Sequence, residues 1–149
     1  MAQPLYKIID FPTSDTKNGV LTMFQHDKKK SDHVPFTIRK VLATTGMNGK
    51  DARGAHTHHK THLILICLSG GCVVDLDNTK EKATITLNNQ HQGLYLYPYV
   101  WHVMHSFKPT TVLLVLADRK YDEREYIRDY NEFLKFAAKK NKSKTKKKK

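Results

Sequence analysis

Short apolar runs separated by turn residues make up most of the first 117 positions of the chain. The run at residues 63–68 is entirely apolar and ends at Ser-Gly-Gly, a typical tight turn. Runs begin about every 8–14 residues, a spacing typical of β-sandwiches and barrels rather than of βαβ units. This pattern predicts strands over residues 34–44, 63–68, 72–76, 83–87, 93–97, 100–105 and 111–117.

The pattern changes after residue 118. Apolar positions at 126, 127, 130, 133, 134 and 137 are spaced by three and four, as on one face of a helix. This spacing predicts an α-helix over residues 124–138. The lysine-rich residues that follow cannot bury apolar surface. We therefore expect one domain over residues 1–138 and a disordered tail over residues 139–149.

Composition and charge argue against several classes of function. The formal net charge is +12, but eight of the 26 basic residues lie in the tail, and without them +4 remains. A nucleic-acid-binding surface across the domain is therefore not indicated. No apolar run approaches the about 20 residues of a membrane span, and no signal-peptide pattern opens the sequence. With two cysteines that form no C-x-x-C pair, we expect a cytoplasmic protein with reduced thiols.

Histidine is the unusual residue, with nine copies, four of them between positions 56 and 62. Side chains alternate along a strand, so His56 and His58 would share one face and His59 would lie on the other. His62 would join the first face if the strand continued regularly. His102 follows on a later predicted strand.

The residues alone leave three interpretations of these histidines open. An H-x-H pair is a common half of a metal site, although no Glu follows His58 at the spacing that metal-binding cupins use. Two imidazoles can also exchange protons with a substrate near neutral pH, with Arg53 supplying a fixed positive charge. The third interpretation is a set of solvated histidines on a polar loop.

The surrounding residues resemble a known family. Arg53-Gly-Ala-His56-Thr-His58 is similar to the R-G-x-H-x-H signature of the nucleotide-sugar 3,4-ketoisomerases, small enzymes of the cupin superfamily. The other segments that match the family in order are residues 35–41, 66–70, 93–102 and 115–130. The resemblance extends over residues 5–136, nearly the whole predicted domain.

The resemblance implies an all-β fold, a cupin-type jelly-roll β-barrel with a C-terminal α-helix. It implies conversion of dTDP-4-keto-6-deoxy-D-glucose to a dTDP-3-keto-6-deoxyhexose, a step in 3-amino-3,6-dideoxyhexose biosynthesis. His56 and His58 would transfer the proton between C3 and C4, with neither a metal nor a redox cofactor.

The resemblance also suggests residues for binding and assembly. The substrate-binding candidates are Arg53, Lys40, Trp101, His102 and Asn18. Family members form homodimers that exchange an N-terminal strand, for which residues 5–9 are suited. No nucleic-acid or membrane partner is expected.

Departures from the family pattern leave the product configuration at C4 open. Asn18, Leu42 and Leu63 stand where members often have Arg, an aromatic residue and Gln. His102 resembles the galacto-type pattern, which we favour. One alternative is a cupin 3,5-epimerase, which usually pairs a His with an Asp and a Tyr on later strands. The other is a non-catalytic sugar- or RNA-binding barrel, although the lysine tail lacks the aromatic residues that stack on bases.

Overall fold

A computed structural model describes residues 3–147 of the chain. Its secondary structure is mostly short strands, with a 3₁₀ turn at Glu123–Glu125 and a C-terminal helix, α1, at Tyr130–Lys146. The strands are β1 (Tyr6–Asp10), β2 (Thr13–Thr16), β3 (Gly19–Thr22), β4 (Lys40–Thr44), β5 (Arg53–His58), β6 (Leu63–Ser69), β7 (Cys72–Asp77), β8 (Lys82–Leu87), β9 (Gln92–Leu96), β10 (Trp101–His105), β11 (Val112–Ala117) and β12 (Tyr126–Ile127).

Two antiparallel five-stranded sheets form the barrel. Their strand orders are β1-β9-β6-β11-β4 and β12-β5-β10-β7-β8. Apolar side chains from both sheets meet in one core, such as Leu65 and Leu113 from the first and Val74, Leu76 and Met104 from the second. The expected all-β class with a C-terminal helix is confirmed.

A second apolar layer covers the outer face of the first sheet. Ile64 and Ile66 of β6 point away from the barrel core and pack against Val34, Phe24 and Phe36. Because both faces of β6 are covered, its sequence is continuously apolar rather than alternating.

That covering segment corrects the predicted strand over residues 34–44, of which only Lys40–Thr44 is a strand. Val34 instead makes an isolated bridge with His26. Pro35 lacks the N–H that a ladder needs, and burial of Val34 holds the segment across the sheet face.

The predicted helix over 124–138 begins too early. Tyr126 and Ile127 form β12 and pair with His58 and Thr57 of β5. α1 starts after Asp129, whose carboxylate accepts a hydrogen bond from the Glu132 amide. The edge of β5 offers backbone hydrogen bonds to residues 126–127, and these residues could not make them if they were helical.

At its other end α1 continues to Lys146, into the segment expected to be disordered. Lysine is a good helix former, and adding residues to an existing helix is easy compared with starting one. Lys148 and Lys149 of that segment lie outside the described residues. Between residues 3 and 147, no helix is long and apolar enough to cross a bilayer.

Candidate active site

Three imidazoles and a tyrosine ring meet on the inner face of the second sheet. The ring centroid of His56 lies 5.0 Å from that of His58 and 4.6 Å from that of His102. The Tyr126 ring lies 5.2 Å from His56 and 4.5 Å from His58. Strand pairing explains the meeting, because His56 is opposite His102 and His58 is opposite Tyr126. His56 and His58 share a face, as the alternation predicts.

A bulge in β5 brings Arg53 to the same face. Gly54 pairs with Val103 and His56 with His102, so Ala55 is an extra residue between them. Gly54 and Ala55 both have positive φ, at 84° and 53°. Arg53 lies opposite Met104, which faces the core. Regular alternation would have put Arg53 on the opposite face from His56, so the bulge allows both to face one ligand.

Burial keeps the imidazoles neutral. It lowers the pKa of His58 to about 2, helped by the neighbouring His102, His56 and Lys40. Burial and then His56 lower the pKa of His102 to about 3. Burial is also the main cause of the lowered pKa of His56. Near neutral pH all three rings are therefore bases with a free lone pair.

The hydrogen bonds of the rings differ. The His102 Nδ1 lies 3.1 Å from the Val100 carbonyl oxygen, so Nδ1–H is the donor and Nε2 carries the lone pair. The Nδ1 of His56 is buried and makes no well-formed hydrogen bond in the described structure, although the Gly54 backbone raises the pKa of this ring against the effect of burial. A buried polar atom without a partner is costly, which is common at functional sites.

Two cations flank the tyrosine ring. The Lys40 ammonium is 5.8 Å from the Tyr126 centroid, and the Arg128 guanidinium is 4.4 Å from it. Arg128 is held by Glu123 at 3.1 Å between Nε and Oε1. The sequence indicates Lys40 as a binding residue. It does not indicate Tyr126 or Arg128, because both fall within the helix predicted over residues 124–138. Their place on β12 and just after it brings them to the histidines.

Two other histidines lie elsewhere. His59 is on the other face, where its Nδ1 lies 3.0 Å from the Tyr99 hydroxyl. The expectation that His62 joins the first face is wrong, because β5 ends at His58 and the chain turns there. Glu125 holds that turn by accepting hydrogen bonds from Lys60 and Thr61.

Two proposed binding residues are not at the histidines. Trp101 lies on the opposite face of β10 from His102 and packs under α1 against Phe133, with 5.6 Å between ring centroids. Trp101 therefore does not face the three histidines, because the outer face of β10 lies under the helix. Asn18 lies exposed in the turn between β2 and β3, and no hydrogen bond or ion pair within residues 3–147 joins it to the three histidines.

Comparisons with known proteins agree with the motifs. The family model described as FdtA: WxcM-like, C-terminal matches residues 5–138. A TDP-4-oxo-6-deoxy-alpha-D-glucose-3,4-oxoisomerase from Aneurinibacillus thermoaerophilus is 39% identical over 135 residues, which cover 91% of this chain and 94% of the relative. A crystal structure of a His-to-Asn mutant of the 3,4-ketoisomerase QdtA from Thermoanaerobacterium thermosaccharolyticum, with TDP-4-keto-6-deoxyglucose bound, is 37% identical in sequence. It superposes with a TM-score of 0.85 over 93% of this chain and 97% of QdtA.

A more distant structure supports the fold alone. NovW, a 4-keto-6-deoxy sugar epimerase from Streptomyces spheroides, is 14% identical. It has a TM-score of 0.66 over 80% of this chain and 66% of NovW. The fold is thus the cupin-like jelly roll expected from the sequence. From the family match and the identity to characterised relatives, the chain belongs to the FdtA-like family of dTDP-sugar 3,4-ketoisomerases and is an isomerase.

Proposed function

We propose that the chain converts dTDP-4-keto-6-deoxy-D-glucose to a dTDP-3-keto-6-deoxyhexose, with proton transfer by His56 and His58. The observation that carries this proposal is the cluster of neutral imidazoles on one inner face, beside the cations Lys40 and Arg128. One imidazole takes the proton from C3, leaving an enediolate across C3 and C4. A proton is then delivered to C4, and the hydroxyl proton on the C3 oxygen is transferred to the C4 oxygen, which leaves a ketone at C3 and a hydroxyl at C4. No electrons enter or leave, so the reaction needs no redox cofactor.

Positive charge near the histidine rings would stabilise the enediolate intermediate. Lys40 is close enough to His56 and His58 to lower the pKa of both. The same positive charge stabilises an enediolate oxygen formed beside those rings. Arg53, which is exposed at the bulge on the same face, is our candidate for binding the nucleotide diphosphate, since a guanidinium binds phosphate oxygens in pairs. Metal is not required in this scheme.

His102 supports a galacto configuration at C4. It is the third imidazole of the cluster and is buried between β5 and β7. Its Nε2 carries the lone pair, so it can accept or relay a proton beside His56 and His58, and it matches the galacto-type pattern of the family. We propose the galacto-configured 3-keto sugar as the product.

The N-terminal segment supports a homodimer. Within the described chain β1 pairs with β9, and the hairpin β2–β3 pairs with no other strand. Val20 and Leu21 of the hairpin are 44% and 66% exposed. On the free edge strand β4, Val41 and Leu42 are 57% and 43% exposed. Exchange of β1 between two chains would keep its pairing and carry the hairpin, with Asn18, onto the partner chain. Both apolar surfaces would then be covered.

Turnover in D₂O tests the reaction. NMR of dTDP-4-keto-6-deoxyglucose incubated with the protein should show a 3-ketone with deuterium at C4. The coupling constants of the neighbouring protons report the C4 configuration when the reaction is run in H₂O. Deuterium at C5 with the ketone still at C4 would instead identify an epimerase. No exchange at any ring carbon would reject the proposed function.

Sedimentation velocity tests the assembly. The expected result is a dimer that the double variant Val20→Asp, Leu21→Asp converts to monomer. A wild-type monomer at micromolar concentration would reject the exchange.

A further inference from the structure

We propose that His56, His58 and His102 also form a binding site for one divalent transition-metal ion of the Zn²⁺ and Co²⁺ class, and that this ion inhibits the enzyme. One ligand nitrogen from each ring lies within 4.8 Å of the others. The rings come from two strands that pair with each other, which keeps them side by side. Zinc and cobalt take imidazole nitrogen readily, and three protein ligands with one open position are a common arrangement for them.

The surroundings of the rings fit such an ion. His102 donates its Nδ1–H to the Val100 carbonyl, the kind of second hydrogen bond that orients a metal-binding imidazole. His56 has a buried Nδ1 that makes no well-formed hydrogen bond in the part of the chain described. A metal ion would supply a partner for a ring nitrogen that the protein leaves unsatisfied, either directly or after the ring turns over.

Neighbouring charges set a limit on the affinity. No carboxylate belongs to the three-residue cluster found among the described residues, so the donor set is neutral. Lys40 and Arg128 stand close by and repel a cation, although Glu123 pairs with Arg128 and offsets part of that repulsion. We therefore expect binding far weaker than that of a structural zinc site.

The inhibition follows from the lone pairs, and this part rests on the proposed function. An imidazole that donates its lone pair to a metal cannot accept a proton from C3. The ion and the substrate would compete for the same face. Removal of metal should accordingly leave turnover intact, and added Zn²⁺ should reduce it.

The visible absorption of bound Co²⁺ measures metal binding independently of enzyme activity. Chelator-treated protein should develop visible d–d absorption when titrated with CoCl₂, saturating at one ion per chain. His56→Asn and His102→Asn should each weaken this binding at least about tenfold. His59→Asn and His62→Asn are the matched controls, since both rings lie outside the cluster, and they should bind as wild type does.

A charge variant tests the location independently. Lys40→Met removes a cation beside the cluster and should tighten Co²⁺ binding several-fold. Circular dichroism establishes that each variant is folded. The site is rejected if about 1 mM Co²⁺ gives no d–d bands, or if His59→Asn or His62→Asn abolishes them.

These experiments distinguish a failure of the metal-site proposal from a failure of the proposed isomerase function. Co²⁺ bands that depend on His56 and His102, in a protein that never turns over the keto-sugar, would support the metal site and reject the proposed function. Turnover that requires added Zn²⁺ would reject the inhibitory role. Turnover by metal-free protein that falls as Zn²⁺ is added, with the Co²⁺ dissociation constant matching the inhibition range, would support both.

Discussion

Single residues decide which imidazoles can react. Alternation along β5 was enough to place His56 and His58 together and His59 apart. The position of His62 could not be predicted, because it depends on where β5 ends, and Glu125, more than sixty residues later, holds that turn. The side of β10 that carries Trp101 could not be predicted to lie under α1, because the sequence does not tell which face of a strand a distant helix covers.

Replacing His56 or His58 by Asn should lower kcat at least about 100-fold for one or both variants, since positioned proton transfer contributes that much or more. Asn keeps the approximate size and some hydrogen bonding but has no ring nitrogen lone pair to accept a proton. His59→Asn, on the other face, should lose less than about tenfold. Turnover and dTDP binding by calorimetry check this. An inactive His59→Asn beside active His56 and His58 variants would show that the opposite face carries the reaction.

Gly54→Ala should reduce both stability and turnover. Gly54 has φ of +84°, and a Cβ there would lie 2.9 Å from the His102 carbonyl oxygen and 3.0 Å from the end of Met104. Relief of that contact must move β5 against β10 and so displace His56. We expect a loss of about 1–3 kcal/mol in the free energy of unfolding, measured with urea.

Gly46→Ala is the matched control for that variant. Gly46 has a similar φ of +71° but nothing within 4 Å of the added Cβ. Gly46→Ala should lower the free energy of unfolding, because the backbone is strained, but it should leave turnover unchanged. Equal effects of the two substitutions on kcat would mean that the bulge does not position the histidines.

Among the secondary-structure elements, the strands were the predictable part. Turn residues and apolar runs located β6 to β11 to within a residue or two. The start of α1 was not predictable, since Tyr126 and Ile127 fit a helical spacing as well as they fit a strand. Only pairing with β5 decides between them. That choice matters for function, because a helix starting at 124 would not lay Tyr126 across His56 and His58.

The packing of α1 supplies a stability prediction. Phe133 is fully buried against Trp101 and Tyr130, so Phe133→Ala should lower the free energy of unfolding by about 3–5 kcal/mol. Leu134 is 39% exposed, and Leu134→Ala should cost less than about 1 kcal/mol. Urea denaturation followed by tryptophan fluorescence measures both. Similar costs for the two would contradict the observed face of the helix.

The whole molecule combines a conventional apolar core with three neutral imidazoles, of which His58 and His102 are buried and His56 is half-buried. Unfolding exposes these rings and returns each pKa to about 6.5. Their pKa values are lowered in the folded state, so the stabilisation is complete above about pH 6.5 and is lost as the pH falls below it. Each ring that stays neutral contributes a slope of about 1.4 kcal/mol per pH unit in that range.

Urea denaturation at pH 7 and pH 5 checks this pH dependence. Carboxylates stay largely ionised in this window, so the histidines dominate the change. The stability of wild type should fall more steeply than that of His102→Asn, which has one imidazole fewer to protonate. Parallel changes in the two proteins would show that His102 is protonated in the folded state as well.

The double coverage of β6 also governs how the molecule opens. β6 lies between β9 and β11 in its sheet, with the barrel core on one face and the segment carrying Val34 and Phe36 on the other. Its amide protons can therefore meet water only when the barrel comes apart, and their deuterium uptake should be the slowest in the chain. In a single chain the β2–β3 hairpin, paired only with itself, should exchange within the shortest labelling times. A mass-spectrometric exchange map would thus rank the strands by the motion needed to expose them, with β6 last.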